Sequence, residues 1–170
     1  MKIVYNGETI ALEDEMLDVG YSAEKVELLT KDDKKVTVGG HTGRTQILVS
    51  LPFVDENIKA ELGTIDSMLN EVAKSQIDAW VIGADGDIQA DVGFFQSGAD
   101  YDEAFGDLYG ARLKGGELDG KLTKALFIVA QDGTLFYIDA PSDLAEPFNM
   151  ERFQRQIVTA LSCCDKKGCH

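Results

Sequence analysis

Every cysteine of the chain lies in the last eight residues. Cys163, Cys164 and Cys169 are accompanied by a C-terminal His170. Three thiols and an imidazole are donor types that suit a tetrahedral zinc or copper(I) site, although adjacent cysteines rarely bind one ion together. Alternatively, the thiols could form a small disulfide loop or mixed disulfides with a thiol partner, helped by neighbouring lysines that favour the thiolate. The third interpretation is a terminal segment without a chemical role.

Charge and composition narrow the classes of function. The 170 residues include 16 Lys and Arg against 30 Asp and Glu, which gives a net charge of −14. A field of this sign repels phosphate backbones and anionic lipids, so we expect no nucleic-acid partner and no membrane partner. No run approaches the ~20 apolar residues of a membrane span, and residues 1–7 lack the apolar run of a signal peptide. We therefore predict a cytoplasmic protein.

Length and hydrophobic patterning predict a single α/β domain, followed by a Cys/His-rich tail over residues 162–170. Hairpin turns are expected at Asn6-Gly7 and Asp132-Gly133, and residues 85–107 are irregular, with a solvated acidic face from Asp100 to Asp107. The pattern predicts a three-layer fold in which helices flank a mixed sheet. The predicted strands lie in the N-terminal hairpin and at 26–29, 35–38, 46–51, 79–84, 124–129 and 135–138.

Two amphipathic helices are expected from apolar residues that recur every three or four positions. The first is predicted over residues 57–74 and the second begins near Asn149. Their apolar faces comprise Ile58, Leu62, Ile65, Met68, Leu69 and Val72 in the first helix, and Phe153, Ile157, Val158 and Leu161 in the second.

Four short strings carry a family resemblance through their order and spacing. They are VYNG at 4–7, LVSLP at 48–52, the block 109–125, and the segment 138–148 that leads into the last helix. Together they resemble the thiol peroxidases, the atypical two-cysteine branch of the peroxiredoxins, over about residues 1–161. The resemblance implies a thioredoxin-like fold with an N-terminal β-hairpin, and a homodimer.

The resemblance also implies where a peroxidase site would lie, at the start of the helix that follows Pro52. The family has a hydroxyl residue and then, three positions later, the peroxidatic cysteine; these positions hold Glu56 and Lys59 here. The family's arginine corresponds to Lys124. Lysine cannot form a sulfenic acid, so the resemblance implies a fold that has lost the ordinary peroxidase cycle.

The resolving cysteine of the family corresponds to Phe94 or Phe95, on a helix after the second buried strand. Glu56 and Lys59 are one helical turn apart and are expected to pair. The first interpretation of this pair is an unused surface; the second is that Lys59 converges with Lys124 on a small anion or carboxylate.

Three functions stay open from the sequence. The first is a binding or regulatory homologue without peroxidase activity. The second is a thiol-dependent antioxidant oxidoreductase that works through the tail cysteines. The third is a metal-binding protein that uses Cys163, Cys164, Cys169 and His170 for zinc or copper; no other cofactor is expected.

Overall fold

The computed structural model describes residues 1–163. Of the tail residues singled out above, Cys164, Cys169 and His170 lie outside the described residues, and Cys163 is described only as the last residue of a helix. The helices are α1 Glu56–Met68, α2 Glu71–Ser75, α3 Ala104–Tyr109 and α4 Met150–Cys163. The strands are β1 Lys2–Tyr5, β2 Glu8–Leu12, β3 Val26–Leu29, β4 Lys35–Val38, β5 Thr45–Ser50, β6 Ile77–Gly83, β7 Gln96–Ala99, β8 Leu113–Lys114, β9 Ala125–Val129 and β10 Leu135–Asp139.

The main sheet has seven strands in the order β10-β9-β5-β6-β7-β3-β4. Strands β5, β6 and β7 run parallel, whereas β9 joins β5 antiparallel and β3 joins β7 antiparallel. A second sheet, in the order β1-β2-β8, contains the predicted N-terminal hairpin. The predicted α/β architecture with a mixed central sheet is therefore confirmed.

Alternation along the central strands explains why helices cover both faces of the sheet. In β5, Ile47 and Val49 face the helices α1 and α4, and the intervening Leu48 faces α3. Such strands, buried on both faces, read as continuous apolar runs in the sequence. The side chains of successive strand residues point to opposite faces, so one apolar run supplies two cores.

The helix predicted over 57–74 is two helices in the structure. Leu69 is extended, with φ −101° and ψ 135°, and the Asn70 side chain accepts a hydrogen bond from the Ala73 amide at 2.8 Å to begin α2. Asparagine is among the preferred N-cap residues, so starting a new helix at Asn70 competes with the continuation of α1 through this position. Val72, expected on the buried face, is 68% exposed.

Two further expectations were wrong. The irregular region contains β7, so Phe94 and Phe95 precede a strand and do not lie on a helix. The acidic stretch is not uniformly solvated, because Asp100 is buried and accepts hydrogen bonds from the amides of Phe105 and Gly106, both at 2.8 Å. Burial raises the pKa of the Asp100 carboxyl, although these backbone donors oppose the shift.

The last helix is confirmed, with one exception on its apolar face. Phe153 and Ile157 are buried against the sheet, whereas Val158 is exposed. Among the described residues, no helix combines the length and the apolar composition that a bilayer crossing requires.

Candidate functional site

A cleft of about 390 Å³ lies beside the N-terminus of α1. It is bounded by three parts of the chain: the β1–β2 turn, the segment from Phe53 to Glu61, and the loop around Leu144. Lys124, directly before β9, also lines it. The cleft therefore lies at the place where the sequence resemblance puts a peroxidase site.

Pro52 separates the end of β5 from the start of α1. Leu51 donates the last hydrogen bond toward β6, to the Ile82 carbonyl at 3.0 Å, and proline has no N–H with which to continue the ladder. Three residues later, Asp55 is the N-cap of α1, and its Oδ1 accepts from the Ile58 amide at 2.8 Å. This carboxylate also complements the positive end of the helix dipole.

Glu56 and Lys59 form the expected pair on the outer surface of α1. Lys59 Nζ lies 3.7 Å from Glu56 Oε1, and the two side chains are 49% and 93% exposed. The residues that line the cleft include Asn57 and Ile58 but not Lys59. The side chain at this position therefore points away from the cleft and is held by a solvent-screened contact.

Lys124 forms a different kind of pair, within the cleft floor. Its Nζ donates to Glu61 Oε2 at 2.8 Å and to the Glu146 carbonyl at 2.7 Å. Only 2% of the Lys124 side chain and 13% of the Glu61 side chain are exposed. The ammonium also lies 4.8 Å from the centre of the Phe148 ring, within the range of a cation–π contact.

Glu61 binds a second segment of the chain through its other oxygen. Oε1 accepts from the Phe148 amide at 2.7 Å, so one carboxylate links α1 to the start of β9 and to the loop before α4. A buried ion pair of this kind keeps its charges only when the remaining donors and acceptors are satisfied. Both Glu61 oxygens meet that condition here.

The structure does not bring Lys59 and Lys124 together as a pair of free cations. One is paired with Glu56 on the surface and the other with Glu61 in the floor. We did not predict Glu61 from the sequence. The sequence does contain a signal for Glu61. This charged residue lies between Ile58 and Leu62 on the apolar face of α1, where a carboxylate needs a buried partner.

Tyr5 and Phe53 form an aromatic wall of the cleft. The ring centroids of Tyr5 and Phe53 are 5.5 Å apart. β1 is bonded to the loop around Leu144, because the Val4 amide donates to Ser142 O at 2.7 Å and the Leu144 amide donates to Val4 O at 3.0 Å. These two backbone hydrogen bonds hold the N-terminal hairpin beside the cleft.

Phe94 and Phe95, where the resemblance leads us to expect the resolving position, are packing residues in the structure. Phe95 is buried in the core, and the Phe94 and Phe95 rings are 5.1 Å apart. The Phe94 amide donates to Asp66 Oδ1 on α1 at 3.1 Å. Within residues 1–163, no cluster of His, Cys, Asp and Glu has the arrangement of a metal site.

Comparisons with curated proteins find thiol peroxidases among the proteins similar to this chain. No protein-family model matches the chain. The thiol peroxidase of Campylobacter jejuni is 28% identical over 181 aligned positions, which cover all of both chains. The thiol peroxidase of Helicobacter pylori is 25% identical over 163 positions, covering 88% of this chain and 95% of its own.

Solved structures confirm the fold. A peroxiredoxin-like protein from Aquifex aeolicus superimposes with a TM-score of 0.81 at 20% identity, covering 94% of this chain and 96% of its own. The thiol peroxidase from Chromobacterium violaceum superimposes with a TM-score of 0.78 at 12% identity, covering 95% and 97%. The predicted peroxiredoxin-like variant of the thioredoxin fold is therefore confirmed.

Proposed function

Because this chain is a full-length relative of the thiol peroxidases, within the peroxiredoxins, we propose that it is a binding or regulatory homologue that does not reduce peroxides through its folded body. The observation that carries the proposal is the residue at the first turn of α1. Counting from Pro52, Lys59 stands at the position expected for the peroxidatic cysteine, and residues 1–162 contain no cysteine. The body thus offers no thiol for the reaction.

The chemistry of peroxide reduction explains why the substitution matters. A thiolate attacks one peroxide oxygen, the O–O bond breaks, the sulfur becomes a sulfenic acid and the second oxygen leaves as water or an alcohol. The ammonium of Lys59 has no electron pair for this attack. Lys124, at the position of the family's arginine, already donates to Glu61 and Glu146, and lysine lacks the planar fork of arginine.

The test is hydrogen peroxide consumption by the full chain, with dithiothreitol as the reductant. We expect no turnover above the reductant alone, with an active thiol peroxidase as the positive control. The matched variant is Cys163→Ser/Cys164→Ser/Cys169→Ser. Turnover that survives these replacements would contradict the claim that the folded body lacks peroxidase chemistry. Turnover that they abolish would assign peroxide reduction to the tail cysteines and would favour a thiol oxidoreductase over a binding or regulatory homologue.

A second candidate function rests on the tail. Three cysteines and a histidine within eight residues supply enough soft donors for zinc or copper. We propose that this tail binds the metal independently of the cleft. The test is the metal content of freshly purified protein together with a count of free thiols; metal retained through gel filtration with protected thiols supports it, and three free thiols without metal contradict it.

A further inference from the structure

Building on the proposed binding function, we infer that the cleft beside α1 takes a small organic cation, such as a primary amine on a short apolar chain, and not an anion. The carboxylate of Asp55 would hold the charged group, and the rings of Tyr5 and Phe53 would hold the chain. The inference rests on three features of the cleft: the neutralised floor, the exposed acidic rim and the aromatic wall.

The floor has no free positive charge to offer an anion. Lys124 is 1% exposed as a residue, and its ammonium is engaged by a carboxylate, a carbonyl and an aromatic ring. An anion that displaced Glu61 would leave that carboxylate buried without its partner, which is strongly unfavourable. The Lys124–Glu61 pair therefore contributes no net charge to the cleft.

The rim carries a carboxylate that is positioned and exposed. Asp55 uses Oδ1 to cap α1, and within residues 1–163 no hydrogen-bond partner is found for Oδ2. Because the cap contact fixes the side chain, the second oxygen needs little further ordering to accept from an ammonium. Asn6 and Asn57 add neutral polar groups to the lining. The full negative charge of Asp55 exceeds the roughly half positive charge of the α1 N-terminus that it caps, so the net charge of the rim is negative.

The aromatic wall suits the same class of ligand. Tyr5 and Phe53 are both half-buried, and they present ring surface to a cleft whose floor includes Ile58 and Leu144. Aromatic faces attract cations and also accept a short alkyl chain. A carboxylate beside such rings is the combination that recognises an amine with an apolar body.

The experiment compares two probes of matched size, butylammonium and butyrate, titrated into the full-length protein. Binding is followed by the backbone amide NMR shifts of residues 53–61. We expect saturable shifts with butylammonium and none with butyrate. Asp55→Asn keeps an N-cap oxygen and removes the charge, so it should weaken butylammonium binding about fivefold while α1 stays folded.

The matched control is Asp132→Asn. Asp132 lies in the β9–β10 turn, where its Oδ1 accepts from the Thr134 amide. This turn follows the end of β9, whereas Lys124 precedes its start. The substitution therefore removes an equivalent charge away from the cleft. It should leave butylammonium binding unchanged. Equal weakening by the two variants, saturable butyrate binding, or no saturable binding of either probe would each overturn the inference. None of these results depends on peroxide turnover, which tests the proposed function separately.

Discussion

Glu61 is the residue whose loss the folded protein should tolerate least within the cleft. Glu61→Gln removes the counter-charge of a Lys124 ammonium that is almost wholly buried. Removing one partner of a buried pair leaves an uncompensated charge, so we expect the free energy of unfolding to fall by about 3 kcal/mol. Urea denaturation followed by circular dichroism measures the change.

The exposed pair on the same helix provides the control for this prediction. Glu56→Gln removes the partner of Lys59, but both side chains are largely solvated, so little change in the free energy of unfolding is expected. Combining Glu61→Gln with Lys124→Met should recover part of the loss, because no buried charge is then left. If Glu56→Gln and Glu61→Gln lower the free energy of unfolding equally, the Lys124–Glu61 pair is not a stabilising contact.

At the scale of elements, the connection between β4 and β5 depends on Gly39. Its φ is +79°, and a Cβ there would overlap the Glu24 carbonyl and the Tyr109 hydroxyl. That hydroxyl donates to Glu24 O at 2.9 Å and links α3 to the segment that precedes β3. Gly39→Ala combines left-handed strain with overpacking, so we expect it to lower the free energy of unfolding by about 3 kcal/mol.

Gly43, in the same connection, separates these two effects. Its φ is +78°, but nothing lies within 4 Å of a Cβ built on it. Gly43→Ala should therefore show only the left-handed strain, about 1 kcal/mol. Thermal and chemical unfolding of both variants provide the comparison, and equal losses would mean that the contact with Tyr109 and Glu24 relaxes freely.

The elements that could be predicted are those with a strong local signal. β-branched apolar runs predict β5, β6 and β9, and the Asn6-Gly7 dipeptide predicts the first hairpin, where both residues have positive φ. The break after α1 was missed because the apolar spacing continues through Leu69 to Val72. β7 was missed because QSGA has little β propensity, and its place is determined by pairing with β6.

At the scale of the whole molecule, the site could be predicted only in part. The position of Lys59 follows from the string that ends at Pro52, because both lie in one segment. The cleft forms only where Tyr5 of the hairpin, Glu61 of α1 and Lys124, directly before β9, lie close together. No local sequence pattern predicts this proximity. It depends on the backbone hydrogen bonds of Val4 with Ser142 and Leu144 and on the Glu61 hydrogen bonds.

Net charge governs how this molecule as a whole responds to salt. With 30 Asp and Glu against 16 Lys and Arg, one-to-one pairing of every Lys and Arg would leave 14 acidic residues without a basic partner. Their mutual repulsion destabilises the compact state, and salt screens it over roughly 10 Å at 0.1 M. We therefore expect the melting temperature at pH 7 to rise by a few degrees as sodium chloride is added. Such a rise corresponds to a gain of about 1 kcal/mol in the free energy of unfolding.

The same measurement near the isoelectric point tests the cause. At about pH 4.4 the net charge is close to zero, so added salt has little repulsion to screen. Scanning calorimetry at both pH values should show a clear salt dependence at pH 7 and a weak or reversed one at pH 4.4, where attractive pairs dominate. A melting temperature that falls with salt at pH 7 would mean that specific ion pairs, such as Arg112 with Asp107 and Glu13, outweigh the repulsion between unpaired acids.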